Sequence, residues 1–212
     1  MVRIITANPH NPVRSEIAEA VRILKAGGIA AYPTETFYGL AAASTNETAI
    51  ERIFAVKGRD EQNPLSLIIG NESQLTPLVS GIPAAARQLA DRFWPGGITI
   101  LFEASPLAPT RLTGGTGKIG IRLSSNPIAS LLADELGCAI TATSANQSGA
   151  PECTSCPEVA RTIGNLIDII IDGGVSPGPP GTTIVDATVD PPRILREGLI
   201  PRTLILHRPA KT

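Results

Sequence analysis

Histidine, aromatic residues and cysteine are all scarce in these 212 residues, and each scarcity closes off a kind of chemistry. The two histidines, His10 and His207, lie near the two ends, so no imidazole pair stands ready for general base work or a metalloprotease site. Aromatics make up 3% of the chain, with one Trp and two Tyr, too few for the stacking platforms of a single-strand nucleic-acid binder. Of three cysteines only Cys153 and Cys156 are close in sequence. A structural zinc site needs four ligands, so this pair reads as two free thiols in a loop, and no metal held by side chains is expected. No run reaches the roughly 18 apolar residues of a membrane span. Residues 1–6 lack the apolar core of a secretory signal. These absences predict a reduced, cytoplasmic protein with no membrane contact. Neither sign of charge dominates: 18 Lys and Arg face 19 Asp and Glu, for a net charge of −1. Any RNA contact would need a local basic patch.

What the chain does have is apolar mass and punctuation. It is 42% hydrophobic, with 20 Gly and 19 Pro. Strands are expected at 2–6, 29–32, 65–69, 98–102, 118–123, 138–143, 166–171, 182–187 and 193–196. Helices are expected at 15–26, at 45 or 46 to 57, at 73–79 and 83–93, from 126 or 127 to 136, and as a short turn at 159–163. Gly58 should stop the second of these. The Pro/Gly-rich stretch 175–181 reads as a surface loop. Strands and helices alternate without a strict βαβ rhythm. The expected fold is α/β, a single-domain twisted mixed sheet with flanking helices, covering 1–207 and followed by a flexible tail at 208–212.

Two polar clusters stand out. Lys57-Gly58-Arg59 falls between an expected helix and the apolar run 65–69, and Arg offers a planar fork for phosphate or carboxylate where Lys offers a point charge. The same pair also reads as two solvated surface charges. Ser144-x-Asn146 follows an expected strand end, where open α/β sheets contact ligands, and equally suits a plain turn. In 118–123, Lys118, Gly120 and Arg122 alternate with Ile119, Ile121 and Leu123 and so share one face. Gly114-Gly115-Thr116-Gly117-Lys118 is not a Walker loop, since the spacing fails and Lys118 opens a strand instead of a helix. With no nucleophile elbow, the chemistry should work by positioning and charge stabilisation.

Taken in order, 32–40 (Tyr-Pro-Thr-Glu-Thr-Phe-Tyr-Gly-Leu), Lys57-Gly58-Arg59, Trp94-Pro95-Gly96-Gly97, 143–149 (Thr-Ser-Ala-Asn-Gln-Ser-Gly), 182–186 (Thr-Thr-Ile-Val-Asp) and Arg196-Glu197-Gly198 form a set more specific than any member. From about residue 14 to 201 the chain resembles the YrdC-like family of threonylcarbamoyl-AMP synthases, in its short form. The resemblance implies a twisted sheet around a concave, positively lined cavity. It implies synthesis of threonylcarbamoyl-AMP from L-threonine, bicarbonate or CO2 and ATP, with release of diphosphate. Mg²⁺ would ride on the phosphates, and a tRNA-modification transferase complex would take the product. By the same resemblance Lys57 and Arg59 are catalytic. Thr36 and Arg122 bind threonine, with Thr34 and Tyr38 beside them. Arg59, Asn63, Ser144, Asn146, Thr182 and Arg196 hold the nucleotide. Ile68 stands where many members have His, and Glu152 where a Ser often meets nucleotide. Two other readings stay open: a non-catalytic relative that binds RNA or the ribosome, and a carbamoyl-adenylate former with a different amine.

Overall fold

Frequent Gly and Pro cut this chain into short elements. The computed structural model describes residues 2–206, so the tail at 208–212 lies outside the described residues. In chain order the structure has β1 (Arg3–Thr6), α1 (Arg14–Lys25), β2 (Ala30–Tyr32), β3 (Gly39–Ala41), α2 (Glu47–Lys57), β4 (Leu67–Ile69), α3 (Ala84–Phe93) and β5 (Ile98–Glu103). There follow α4 (Thr110–Thr113), β6 (Lys118–Leu123), α5 (Pro127–Leu136), β7 (Ile140–Thr141), β8 (Thr143–Ser144), α6 (Cys156–Ile163), β9 (Ile169–Asp172), β10 (Thr183–Asp186), β11 (Arg193–Arg196) and α7 (Arg202–Leu206).

The mixed α/β class holds, but the strands among the described residues form two mixed sheets where one is expected. Their orders are β1-β9-β2-β3-β8 and β11-β10-β5-β6-β4-β7. The expected strand at 138–143 is where they part. β7 pairs with β4 in one sheet and β8 with β3 in the other, and Ala142 between them donates its N–H to Ser66 O at 2.8 Å. Unbroken apolar and hydroxyl sequence gives no hint of this switch.

Local chemistry explains most element ends. Asn46 caps α2 by accepting from Ala49 N at 2.9 Å, and Gly58 closes it at φ 56°, a conformation that favours glycine. α1 starts one residue earlier than expected, with the Glu16 carboxylate accepting from Val13 N at 3.0 Å. The helix expected at 73–79 is instead two short 3₁₀ turns, Glu72–Gln74 and Thr76–Leu78. Pro77 supplies no N–H for a continuous α-helical ladder there.

Two apolar clusters hold the layers together. One joins α1 and α5, through Ile17, Leu24, Ile128 and Leu132, to Tyr32, Ile68 and Ile140 on the strands. The larger joins α2, α3 and α6 to the opposite strand faces, through Leu67, Ile69, Ile119 and Ile121. Each fully buried Leu or Ile contributes about 1.5–3 kcal/mol, so many such residues are needed to offset chain entropy.

Close backbone approach fixes the end of the second sheet. A Cβ on Gly198 would overlap the Gly181 carbonyl oxygen and the Thr182 carbonyl carbon. Gly198→Ala is therefore expected to destabilise the protein by roughly 1–3 kcal/mol, as overpacking does. The midpoint of urea unfolding measures it, and an unchanged midpoint would show that this contact relaxes freely.

Candidate functional site

Strand register builds the floor of the site. Ile184 pairs with Arg196 and with Thr99, Ile100 pairs with Ile121, and Ile68 pairs with Arg122. Extending the β5–β6 register by one residue sets Thr99 beside Arg122. Side chains paired across strands share a face, so one row runs Arg196, Ile184, Thr99, Arg122 and Ile68 across the sheet. The next row carries Leu101, Gly120 and Ser66. At a strand spacing of about 4.8 Å, the backbones of Arg122 and Arg196 stand roughly 14 Å apart.

Over this floor lies a cavity of about 670 Å³. Eight of the expected site residues line it: Thr34, Thr36, Tyr38, Arg59, Arg122, Ser144, Thr182 and Arg196. The segment at 175–181 is part of its wall and not only a surface loop. Pro179 and Gly181 face the cavity, and Gly178 N donates to Thr36 O at 2.7 Å. Tyr38 braces the same segment by donating to Gly174 O at 2.7 Å, and burial holds its phenol protonated far above the ordinary range.

Three expected residues do not line the cavity. Asn63 is exposed, on a turn where its N–H meets Asp60 O at 3.0 Å. Asn146 is buried behind the wall, accepting from Ser144 Oγ at 2.6 Å and donating to Ala150 O at 2.5 Å. Lys57 is 4% exposed, and its ammonium donates to Ser144 O, Asn146 O and Asn146 Oδ1 at 2.7, 2.9 and 3.0 Å. The lysine expected to face an anion thus spends its three donors on the loop behind it. The reason is geometric: Lys57 is the last residue of α2 and turns inward, whereas the left-handed Gly58 sends Arg59 to the cavity. Burial, then the charge of Arg59, pushes the Lys57 ammonium down to about 8.

The lining is rich in cations that lack full compensation. Arg59 donates to Pro64 O at 3.0 Å, and its Nε is buried without a partner among the described residues. Burial lowers the affinity of Arg59 for its proton, and burial together with Arg122 does the same at Arg196. Arg196 is aimed by bonds of 3.0 Å to Thr182 O and to Thr182 Oγ1. Glu152 and Glu197 are the carboxylates on the lining.

Sequence reasoning missed Glu35. It lies behind the lining, 3.4 Å from Arg122 Nη1, with side-chain exposures of 11% and 7% for the two residues. Ser124 Oγ also donates to Glu35. The signal was present: a lone carboxylate between two threonines in a buried segment needs a partner. Glu35→Ala leaves Arg122 buried and uncompensated. It is expected to cost roughly 3–5 kcal/mol of stability. The Glu35→Ala, Arg122→Leu double variant should recover part of that in chemical unfolding. No recovery would mean the two charges are not coupled.

Cys153 and Cys156 are free and buried. Among the described residues no three His, Cys, Asp or Glu side chains gather as a metal site would require, and no helix is long and apolar enough to cross a membrane. Burial raises the Cys156 thiol to about 11, far from a reactive thiolate.

Floor, wall and charges together define a mixed α/β protein with a cationic cavity set on one sheet and closed by the edge of another. Residues 22–198 match the Sua5/YciO/YrdC family model, whose description is "Telomere recombination". The chain belongs to that family. It is 40% identical over 194 residues to the threonylcarbamoyl-AMP synthase of Pyrococcus abyssi (strain GE5 / Orsay), which covers 89% of this chain and 57% of the relative. It is 35% identical over 186 residues to the threonylcarbamoyl-AMP synthase of Vibrio vulnificus (strain YJ016), covering 87% of this chain and 99% of that one. The crystal structure of P. abyssi Sua5 complexed with L-threonine matches with a TM-score of 0.91 at 38% identity, over 95% of this chain and 59% of the other. The chain therefore spans less than two thirds of its archaeal relative.

Proposed function

We propose that this protein makes L-threonylcarbamoyl-AMP from L-threonine, bicarbonate or CO2 and ATP, releasing diphosphate, and that a tRNA-modification transferase complex consumes the product. The observation that carries this reading is the floor row, which brings two arginines into one cavity from backbones roughly 14 Å apart, Arg122 buried and Arg196 exposed at the sheet's edge strand. The threonine carboxylate belongs at Arg122, and the triphosphate toward Arg59 and Arg196. The names of the relatives support the same assignment.

The chemistry asks for no protein nucleophile. The threonine amine adds to CO2, losing a proton, and forms a carbamate. A carbamate oxygen then attacks the α-phosphorus, a new O–P bond forms, and the bond to the leaving diphosphate breaks. Carbamate and triphosphate are both anions, so bringing them into contact requires cations in a partly dry site, where each charge counts for more than in water. Arg122 fixes the amino acid, held in place by Glu35. Arg59 offers an unpartnered buried N–H to the phosphates. Lys57 acts from behind, holding the Ser144 wall.

Mg²⁺ fits this donor set, because it takes one or two carboxylates and fills its shell with phosphate oxygens and water. Glu152 and Glu197, the carboxylates on the lining, would supply such an oxygen. When bound, the ion neutralises charge on the phosphates.

The test is diphosphate release from a mixture of the protein, ATP, bicarbonate, Mg²⁺ and L-threonine. Release should require every component. Release that continues without threonine, or none at all with the full mixture, overturns the proposal.

A further inference from the structure

We infer that Ser66 reads the side-chain hydroxyl of the amino-acid substrate. The inference rests on the proposed function and names a specificity residue within that site. Ser66 lines the cavity just before β4, and its hydroxyl has no hydrogen-bond partner among the described residues. Most other floor and wall hydroxyls are engaged; Thr143, whose hydroxyl is also without a partner among the described residues, lies on β8 in the other sheet. Thr99 Oγ1 lies 3.4 Å from Thr182 Oγ1, and Thr34 Oγ1 donates to Phe37 O at 2.7 Å while facing Thr36 Oγ1 at 3.1 Å. A free hydroxyl on the floor of a cavity is a donor and acceptor kept for a ligand.

Its position says which part of the ligand. On the parallel β4–β6 pair Ile68 lies beside Arg122, so Ser66, two residues earlier on the same face, lies beside Gly120 and diagonal to Arg122. Ser66 is also one strand further from Arg196 than Arg122 is. That corner adjoins the amino-acid position at Arg122, while Arg59, the phosphate cation on this side, is bonded to Pro64 O, two residues before Ser66 and further from Ile68. Gly120 keeps it open: a Cβ there would come within 2.9 Å of Ser66 Oγ. The Ser66 backbone is pinned, its carbonyl accepting from Ala142 N at 2.8 Å where the two sheets part. Ile68, the next side chain on that face, is fully buried and can offer no hydrogen bond. A hydroxyl on the β-carbon of an amino acid whose carboxylate is on Arg122 therefore meets Ser66 and no other free side-chain donor of the β4 face.

The experiment compares kcat/KM of diphosphate release for L-threonine and for 2-aminobutyrate, which is threonine without its hydroxyl, in the wild type, Ser66→Ala and Ser66→Thr. Removing the hydroxyl should lower kcat/KM for threonine by about tenfold, the size of one hydrogen bond lost. 2-Aminobutyrate should stay within about twofold, since it never made that bond. Ser66→Thr, which keeps the hydroxyl, should retain preference for threonine. An equal drop for both substrates would place Ser66 on a part they share, and no drop for either would leave it idle; both results overturn the inference while the proposed function stands. If the wild type releases no diphosphate with any amino acid, the proposed function falls and this inference falls with it.

Discussion

Arg59→Ala should reduce threonine-dependent diphosphate release by roughly 100- to 1,000-fold, the usual effect of deleting one preorganised donor to a developing charge. The size of the loss follows from what Arg59 lacks. Its Nε is buried with no partner among the described residues, and its bond to Pro64 O is the single hydrogen bond its guanidinium makes there. A partly buried, half-satisfied cation is costly to keep, and phosphate oxygens would complete it. The fold should barely notice its removal, because one exposed hydrogen bond is worth about 1 kcal/mol. For a chain of this length that is a fall in Tm of about 2–4 °C. Steady-state release assays and thermal unfolding on the same preparation give both numbers. Wild-type turnover in this variant takes Arg59 out of the site.

Lys57→Ala should behave differently, losing stability and nucleotide affinity together. The ammonium is the common donor to Ser144 O, Asn146 O and Asn146 Oδ1; Ser144 O also accepts from Asn146 N and Asn146 Oδ1 from Ser144 Oγ, so Asn146 O depends most on the lysine. Truncation leaves Asn146 O without this donor, removes one donor each from Ser144 O and Asn146 Oδ1, and leaves a cavity, for a loss of roughly 2–4 kcal/mol in urea unfolding. Ser144, freed from its anchor, no longer holds the wall, so ATP affinity falls with it. Lys57→Met keeps the apolar stem and fills the space, so it should recover packing but not affinity. Affinity should also decline as pH rises through about 8, because the neutral amine has two N–H groups for three acceptors. Lys57→Met should flatten that limb. A lysine acting as a direct phosphate contact would give the pattern of Arg59 instead, with activity lost and stability kept.

The contrast between these neighbours shows what sequence could and could not reveal. Arg122 was legible, because alternation in 118–123 puts it and Gly120 on the polar face, and both line the cavity. The ends of α2 were legible too, since Asn46 and Gly58 are residues whose local chemistry fixes a cap. Lys57 and Arg59 look equivalent as letters, and only the left-handed turn at Gly58 decides that one faces inward and the other outward. The division into two sheets was illegible for a related reason: Ala142 redirects the chain through a long-range bond to Ser66, and no local pattern marks it. β3 was overlooked because Gly39, Leu40 and Ala41 are buried on both faces and so show no alternation. Glu35 and Ser66, polar residues inside apolar stretches, carried a signal that only three-dimensional neighbours could interpret.

The row that joins Arg122 to Arg196 behaves as a ruler with coarse graduations. Hydrogen bonding sets the interval between adjacent strands, and that interval cannot be stretched by changing side chains. The distance between the two backbones that carry the arginines can therefore change only by whole strands, gained or lost. Substitutions elsewhere on the floor can alter what fits beside the ligand, as at Gly120 or Ser66, while the length it must span stays fixed. Drift of sequence within such a sheet would change the choice of small substrate well before it changed the spacing of the two charged ends.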